Sequence, residues 1–112
     1  MKRPHGGRGA ELAKVAPGLN HYTQSILYDE VWERPGLSKR DRSLITIAAL
    51  IAMNRPDQIP GHMEVGLENG LTREELGEMI THLAFYASWP NAVSAARKLL
   101  DLVNEMDAKK EG

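Results

Sequence analysis

The stretch GHMEVGLENGLTREE, residues 61–75, contains the end of one helix and the beginning of the next. Gly70 follows a helical apolar pattern, and glycine commonly ends helices because it adopts a left-handed backbone at little cost. Thr72 and Glu75 then have the spacing of a capping box, in which each side chain accepts a hydrogen bond from the other residue's backbone amide. The stretch therefore predicts two consecutive helices that form a hairpin.

Two further helices are predicted before this hairpin. The first covers about 18–33 and is ended by Arg34-Pro35-Gly36; apolar residues recur along it at helical spacing, at Leu19, Tyr22, Ile26 and Leu27. The second begins after the N-cap residue Ser38, and between Leu44 and Met53 it has a single polar residue, Thr46. A helix that is apolar on nearly all sides must be covered on nearly all sides, by other helices or by another subunit.

The hairpin and the chain that follows it complete the predicted fold. The first hairpin helix begins near Ile59 or Pro60, and a last helix with a wide apolar face covers about 90–107. No alternating strand pattern of useful length occurs. We predict an all-α fold of five to six helices with a central helical hairpin, occupying residues 18–108 after a mobile N-terminal arm at residues 1–17.

Composition excludes several classes of protein. The 112 residues are 42% hydrophobic and 26% charged, which is ordinary for one soluble globular domain. The formal net charge of -1 predicts no nucleic-acid partner, and no apolar run approaches the roughly 20 residues that cross a bilayer. With no secretory signal pattern at its N-terminus, the sequence predicts a cytoplasmic protein. The absence of cysteine removes disulfides, thiolate metal sites and cysteine nucleophiles.

Several separated signatures occur in one order along the chain. The predicted core helix begins with Arg40-Asp41-Arg42-Ser43-Leu44-Ile45, a lone histidine follows in Gly61-His62, and a turn between helices reads Phe85-Tyr86-Ala87-Ser88-Trp89-Pro90-Asn91-Ala92. The further signatures are Pro35-Gly36-Leu37, Asn69-Gly70-Leu71-Thr72, Glu75 and Glu78. Over about 18–100 the chain thereby resembles the carboxymuconolactone decarboxylase family, and this resemblance implies the alkylhydroperoxidase-like fold.

The family contains two chemistries, which the cysteine content separates. The alkylhydroperoxidase-like branch has the motif C-x-x-C-x-x-x-H, in which the histidine helps to ionise two redox thiols. Counting back from His62 places Gln58 and Arg55 at the two cysteine positions. Neither side chain forms a thiolate, so the resemblance is to the decarboxylase branch, and thiol peroxidase activity is not expected.

The resemblance implies a carboxy-lyase that acts on a small carboxylated lactone in the breakdown of aromatic compounds. For γ-carboxymuconolactone, the electrons left by carbon dioxide can flow through the ring alkene onto the lactone carbonyl, so no metal or organic cofactor is required. The resemblance also implies self-association, as a homotrimer or homohexamer with pockets at or near subunit contacts. The alternative is a non-catalytic or differently specific ligand-binding member of the family.

His62 is the predicted catalytic residue. Such a reaction needs a proton delivered to carbon and a stabilised oxyanion, and neutral imidazole can still donate one hydrogen bond. Pro60 fits only in a first helical turn, which places His62 in that turn, where the helix dipole disfavours protonated imidazole and favours an anionic ligand nearby. The alternative role is structural, as a histidine that hydrogen-bonds a neighbouring loop.

Three arginines are predicted to bind substrate carboxylates, because a guanidinium can grip a carboxylate with two parallel hydrogen bonds. Arg40 and Arg42 point to different sides of a helix at their spacing, so at most one faces a given pocket. For both, the alternative is a solvated helix start with pairing to Asp41 or to Glu75 and Glu78. Arg55, at a redox-cysteine position, can also enter the site.

Aromatic and amide side chains surround the turn between the fourth and fifth helices. Tyr86, Trp89 and Asn91 are predicted to wall the substrate pocket, and the alternative is that they pack the helix junction. His82 is predicted to be structural. The histidines lack the short helical spacing of a metal motif, so no metal is predicted.

Overall fold

The computed structural model of the chain describes residues 1–4 and 10–111, with the backbone alone for Glu111. Its five α-helices are α1 (Pro17–Tyr22), α2 (Lys39–Ala52), α3 (Ile59–Glu68), α4 (Arg73–Tyr86) and α5 (Trp89–Glu111). A π-helical segment, Thr23–Val31, continues α1, and short 3-10 turns occur at Ala10–Lys14 and Pro56–Gln58. No strand occurs in the described ranges, so the all-α prediction is confirmed. The predicted mobile arm, 1–17, includes residues 5–9, which lie outside the described residues.

The predicted helix boundaries are confirmed where local capping chemistry sets them. The Ser38 hydroxyl accepts a hydrogen bond from the Asp41 amide at the start of α2, over 3.0 Å. At the start of α4 both halves of the Thr72–Glu75 capping box are present. Gly70 has a φ of +112°, a backbone conformation that residues with a Cβ rarely adopt, and it ends the hairpin's first helix.

The core lies where α2 and α3 pack against α4 and α5. Its fully buried side chains come from every one of these helices or the turns between them, and include Ile47, Ile51, Ile59, Met63, Leu76 and Ala95. Gly66 lets α2 and α3 approach closely, because a Cβ there would lie 2.9 Å from Leu71 Cδ1 and 3.2 Å from Ile47 Cδ1. The buried Ser43 hydroxyl also accepts a hydrogen bond from the Asn69 side-chain amide, over 3.0 Å. These contacts fix α3, and therefore His62, relative to α2.

The first helix differs from its prediction in hydrogen-bond register. From Thr23 to Val31 it is π-helical, and the Trp32 amide donates to the Leu27 carbonyl, five residues back, over 2.9 Å. A π-helical turn holds more residues than the 3.6 on which the predicted stripe depended. The residues of the predicted apolar stripe are exposed on the single chain, and the buried residues here are Tyr28 and Trp32, at 6% and 5% exposure.

Other apolar side chains also remain exposed on the single chain. The predicted wide face of α5 divides into buried residues such as Ala92 and exposed ones such as Val93 and Leu100. Phe85, at the end of α4, is largely exposed as well. No helix in the described part of the chain is long and apolar enough to cross a membrane.

Candidate active site

The predicted catalytic histidine lies in the first turn of α3, as its position two residues after Pro60 predicted. His62 is half-buried and stacks on Trp32, with ring centroids 6.4 Å apart and planes inclined by 23°. Trp32 in turn stacks on Tyr28, with centroids 5.9 Å apart and planes inclined by 28°. These offset geometries are the favourable ones for aromatic pairs, so the three rings form one continuous stack.

Residues from the N-terminus lie against this stack. The Arg3 guanidinium stands over the Tyr28 ring, 5.4 Å from its centroid, and forms an ion pair with Asp29. The Pro4 carbonyl oxygen would lie 3.2 Å from a Cβ built on Gly61. Burial raises the pKa of Tyr28, an effect that the nearby Arg3 charge opposes. The phenol therefore stays neutral well above physiological pH.

Arg42 lines a cavity that Trp32 also lines. Its Nη2 donates to the Arg34 carbonyl over 3.0 Å, and its buried Nε has no hydrogen-bond partner among the described residues. The cavity, of about 200 Å³, is otherwise apolar; besides Arg42 and Trp32 it is lined by Leu27, Val31, Leu37, Ile45 and Thr46. Trp32 thus contacts His62 and also forms part of the wall of the Arg42 cavity.

Arg40 faces a larger groove between α2 and α4, of about 490 Å³. Its guanidinium forms ion pairs with Glu75 and, over 3.1 Å, with Asp41. The two arginines therefore lie on different sides of α2, as their spacing predicted, and Arg40 has the carboxylate partners of the alternative hypothesis. Glu78 and His82 also line the groove. The rest of its lining is apolar: Leu44, Ile45, Ala48, Leu71, Met79 and Leu83.

The charges around the two cavities differ in sign. Hydrogen bonding to the Thr72 backbone amide, helped by Arg40, lowers the pKa of Glu75, so this carboxylate is ionised at neutral pH. With Asp41 and Glu78 nearby, carboxylates outnumber the single guanidinium at the groove. Arg42, by contrast, has no carboxylate partner in the described part of the chain. An anionic ligand is therefore favoured at the smaller cavity and disfavoured at the larger groove.

The remaining predicted substrate-binding residues lie elsewhere. Arg55 is exposed just before the Pro56–Gln58 turn, and its backbone amide donates to the Leu50 carbonyl over 2.8 Å. Tyr86 and Trp89 are 79% and 59% exposed. Trp89 lines a third cavity, of about 240 Å³, between α4 and α5. On one chain these residues do not line the Arg42 cavity.

Asn91 and His82 have structural contacts. The Asn91 side-chain amide donates to the Ala52 carbonyl over 3.3 Å and so satisfies one of the free carbonyls at the end of α2. His82 is exposed and stacks on Tyr86, with ring centroids 4.6 Å apart. In the ranges that the structure describes, no cluster of three or more His, Asp or Glu side chains is placed to hold a metal ion.

Trp32 was not singled out from the sequence, because its contact with His62 joins positions thirty residues apart. The available signal was a tryptophan directly before the Glu33-Arg34-Pro35-Gly36 break. A large apolar side chain at the end of a helix commonly packs against neighbouring elements.

Comparison with known proteins shows the family to which the chain belongs. The family model described as the Carboxymuconolactone decarboxylase family matches residues 17–101, which is most of the chain and includes His62 and all of α2 to α4. The chain belongs to the carboxymuconolactone decarboxylase family. The sequence-based family assignment is thereby confirmed, and these 112 residues contain no cysteine.

Two curated members of the family are similar to this chain. One is 4-carboxymuconolactone decarboxylase of Acinetobacter baylyi, 39% identical over 69% of this chain and 58% of the relative. The other is nitrosuccinic acid decarboxylase npaB of Metarhizium robertsii, 32% identical over 72% of this chain and 57% of the relative. The chain thus spans a little over half the length of the curated relatives it matches.

Proposed function

We propose that this protein is a cofactor-independent decarboxylase whose substrate is a small carboxylated lactone of the γ-carboxymuconolactone type. The observation that carries the proposal is the arrangement around Trp32. This one side chain contacts the His62 imidazole and walls the cavity in which Arg42 has no carboxylate partner among the described residues. A cation for a carboxylate and a proton-transferring group for the reacting carbon are the two elements that the reaction needs.

The chemistry assigns one role to each group. Arg42 binds a substrate carboxylate through guanidinium N–H groups that the Arg34 carbonyl does not use, since a planar guanidinium matches a carboxylate. When the carbon–carbon bond to the departing carboxylate breaks, carbon dioxide leaves and the bonding electron pair moves through the ring alkene onto the lactone carbonyl. His62 donates a hydrogen bond to the resulting oxyanion or delivers the proton that carbon takes up. The reaction needs no oxidant or reductant.

The names of the two relatives support a common type of substrate. The nitrosuccinic acid decarboxylase name specifies a carboxylate next to a nitro group, and a lactone carbonyl conjugated to an alkene is a comparable electron acceptor. Both are compact, and both carry a second carboxylate in addition to the one that is lost. A cavity of about 200 Å³ beside an arginine that has no carboxylate partner among the described residues is suited to a compact anion.

Self-association is a further part of the proposal, as a homotrimer or homohexamer. The exposed apolar stripe of the first helix and the exposed residues Val93, Leu100 and Phe85 support it, since single soluble domains rarely leave such faces uncovered. Subunit contacts are also where Arg55, Tyr86 and Trp89 could reach a neighbouring chain's cavity. Analytical ultracentrifugation of the purified protein measures the assembly directly, and a monomer at micromolar concentration would overturn this part.

The decisive experiment is turnover. Purified protein is incubated with γ-carboxymuconolactone, and loss of the substrate's ultraviolet absorbance is followed together with carbon dioxide release. We expect both to occur in equal amounts. Nitrosuccinate is tested in parallel. Turnover of nitrosuccinate alone would support the proposed decarboxylase activity and rule out the lactone as the substrate. A folded protein that releases carbon dioxide from neither compound between about pH 6 and 9 contradicts the proposal and favours the ligand-binding alternative.

A further inference from the structure

We propose that Trp32 is a positioning residue for His62, stacking on the imidazole with the same side chain that lines the Arg42 cavity. The inference rests on the proposed role of His62 in proton transfer or oxyanion binding. In this inference Trp32 does more than pack. The plane of its indole sets the plane of the stacked imidazole, and that plane determines the direction in which the imidazole N–H groups point. Trp32 does not touch the reacting atoms in this account and acts through His62.

The first support is the way in which Trp32 itself is held. Its side chain is 5% exposed, it stacks on the buried Tyr28, and its amide donates to Leu27 across a π-helical turn. Tyr28 is in turn covered by the Arg3 guanidinium, which Asp29 holds by an ion pair. A buried indole between such neighbours has few allowed rotamers. The ring stacked on it, that of His62, takes its orientation from a fixed surface.

The second support is the position of Trp32 relative to the core. The main cluster of buried apolar residues is built from α2 to α5, around Ile47, Met63 and Leu76. Tyr28 and Trp32 are buried outside that cluster, in a separate group next to His62. Two large aromatic residues are thus buried away from the main core, at the predicted catalytic histidine. The π-helical turn that places them there is a rare element that occurs often at functional sites.

A kinetic experiment compares two substitutions at Trp32. Trp32→Phe keeps an aromatic face for the imidazole, and Trp32→Leu removes it while keeping an apolar side chain. We expect kcat for Trp32→Leu to fall by about tenfold to a hundredfold, the size of effect that misplacing a catalytic group produces, and kcat for Trp32→Phe to stay within about threefold of the native protein. Equal loss in the two variants would mean that filling volume is the only role of Trp32.

A fluorescence experiment tests the contact without any substrate. In the chain carrying Trp89→Phe, Trp32 is the single tryptophan, so the emission reports on its surroundings alone. We expect His62→Asn, which removes the ring stacked on Trp32, to change the wavelength or the intensity of the emission. His82→Asn, which removes a ring stacked on Tyr86 instead, should leave both unchanged. Unchanged emission in His62→Asn protein shown to be folded by circular dichroism overturns the inference.

The two experiments separate this inference from the proposed function. If the protein turns over neither test substrate, the change in emission still reports whether Trp32 and His62 are in contact. If turnover occurs but Trp32→Leu retains the native kcat, the decarboxylase proposal stands and the positioning role is wrong. Asn104→Ala, a change at an exposed residue of α5, serves as the control and leaves the emission unchanged.

Discussion

Arg40 and Arg42 are two residues apart at the start of α2 and face different cavities. Arg40 points into the larger groove, where Glu75 and Asp41 already neutralise it. Arg42 points towards the cavity beside Trp32, and in the described part of the chain only the Arg34 carbonyl accepts a hydrogen bond from it. The proposed substrate site is therefore the smaller cavity. The choice depends on the partners of the two cations, because only Arg42 has no carboxylate partner in the described part of the chain.

The first prediction follows from this difference. Arg42→Gln removes the charged hydrogen bonds to the substrate carboxylate, which are worth about 1.5–3 kcal/mol, so KM should rise by about tenfold to a hundredfold. Arg40→Gln should change KM by no more than about twofold, since this arginine is already paired. Steady-state kinetics on the two purified variants measures both. A raised KM in Arg40→Gln with a native KM in Arg42→Gln would move the carboxylate site to the groove.

The second prediction concerns His62. Replacement by asparagine keeps a polar side chain of similar size, and Asn retains a hydrogen-bond donor, but it cannot transfer a proton. We expect kcat to fall by about a hundredfold or more with the helical circular dichroism unchanged. His82→Asn is the comparison, since His82 is exposed and stacks on Tyr86. Near-native turnover by His62→Asn would exclude proton transfer by His62 and leave it a hydrogen-bonding or structural role.

Helix positions could be predicted from sequence because local groups determine them. The Ser38 hydroxyl, the Thr72–Glu75 box and the positive φ of Gly70 each act within four residues along the chain. The helical character of residues 18–33 could be predicted from the apolar spacing, but the π-helical register of Thr23–Val31 could not, because a spacing read at 3.6 residues per turn does not distinguish the two registers.

The placement of the candidate site residues on their helices could also be predicted in part from the sequence. Periodicity alone placed Arg40 and Arg42 on different sides of α2, and a proline placed His62 in the first turn of α3. Periodicity could not show which arginine has a carboxylate partner, because that depends on α4 bringing Glu75 alongside α2. Nor could it show that Trp32 joins the histidine to a cavity. Both relationships arise from tertiary contacts between residues about thirty positions apart.

The third prediction tests the hairpin turn. Gly70 has a φ of +112°, which an alanine would adopt only with strain, so Gly70→Ala should lower the free energy of unfolding by about 1–3 kcal/mol. Gly77, in the middle of α4, has no atom within 4 Å of a built Cβ. Gly77→Ala should therefore raise the free energy of unfolding, by about 0.5–1 kcal/mol, through the lower backbone entropy of alanine when unfolded. Urea denaturation of the two variants measures these opposite signs.

The last prediction concerns the pH dependence of stability at Glu75. In the folded protein its pKa is lowered, first by the hydrogen bond from the Thr72 backbone amide and further by the Arg40 charge. A carboxylate with a lowered folded pKa stabilises the protein fully at pH values above its unfolded pKa. That contribution declines as the pH falls towards and through the lower folded pKa. Native protein should therefore lose stability between about pH 5 and 3 partly through this residue.

Glu75→Gln isolates the charge, because its amide oxygen can still accept the Thr72 hydrogen bond. We expect the difference in free energy of unfolding between native protein and Glu75→Gln to be largest near pH 7 and to shrink steadily on acidification. Glu74→Gln, which removes a carboxylate from the same helical turn outside the capping box, is the matched control and should show a smaller change with pH. Urea titrations at several pH values give the difference directly. A difference for Glu75→Gln that is constant from pH 7 to pH 3 would mean that the ionised carboxylate contributes nothing beyond its hydrogen bond.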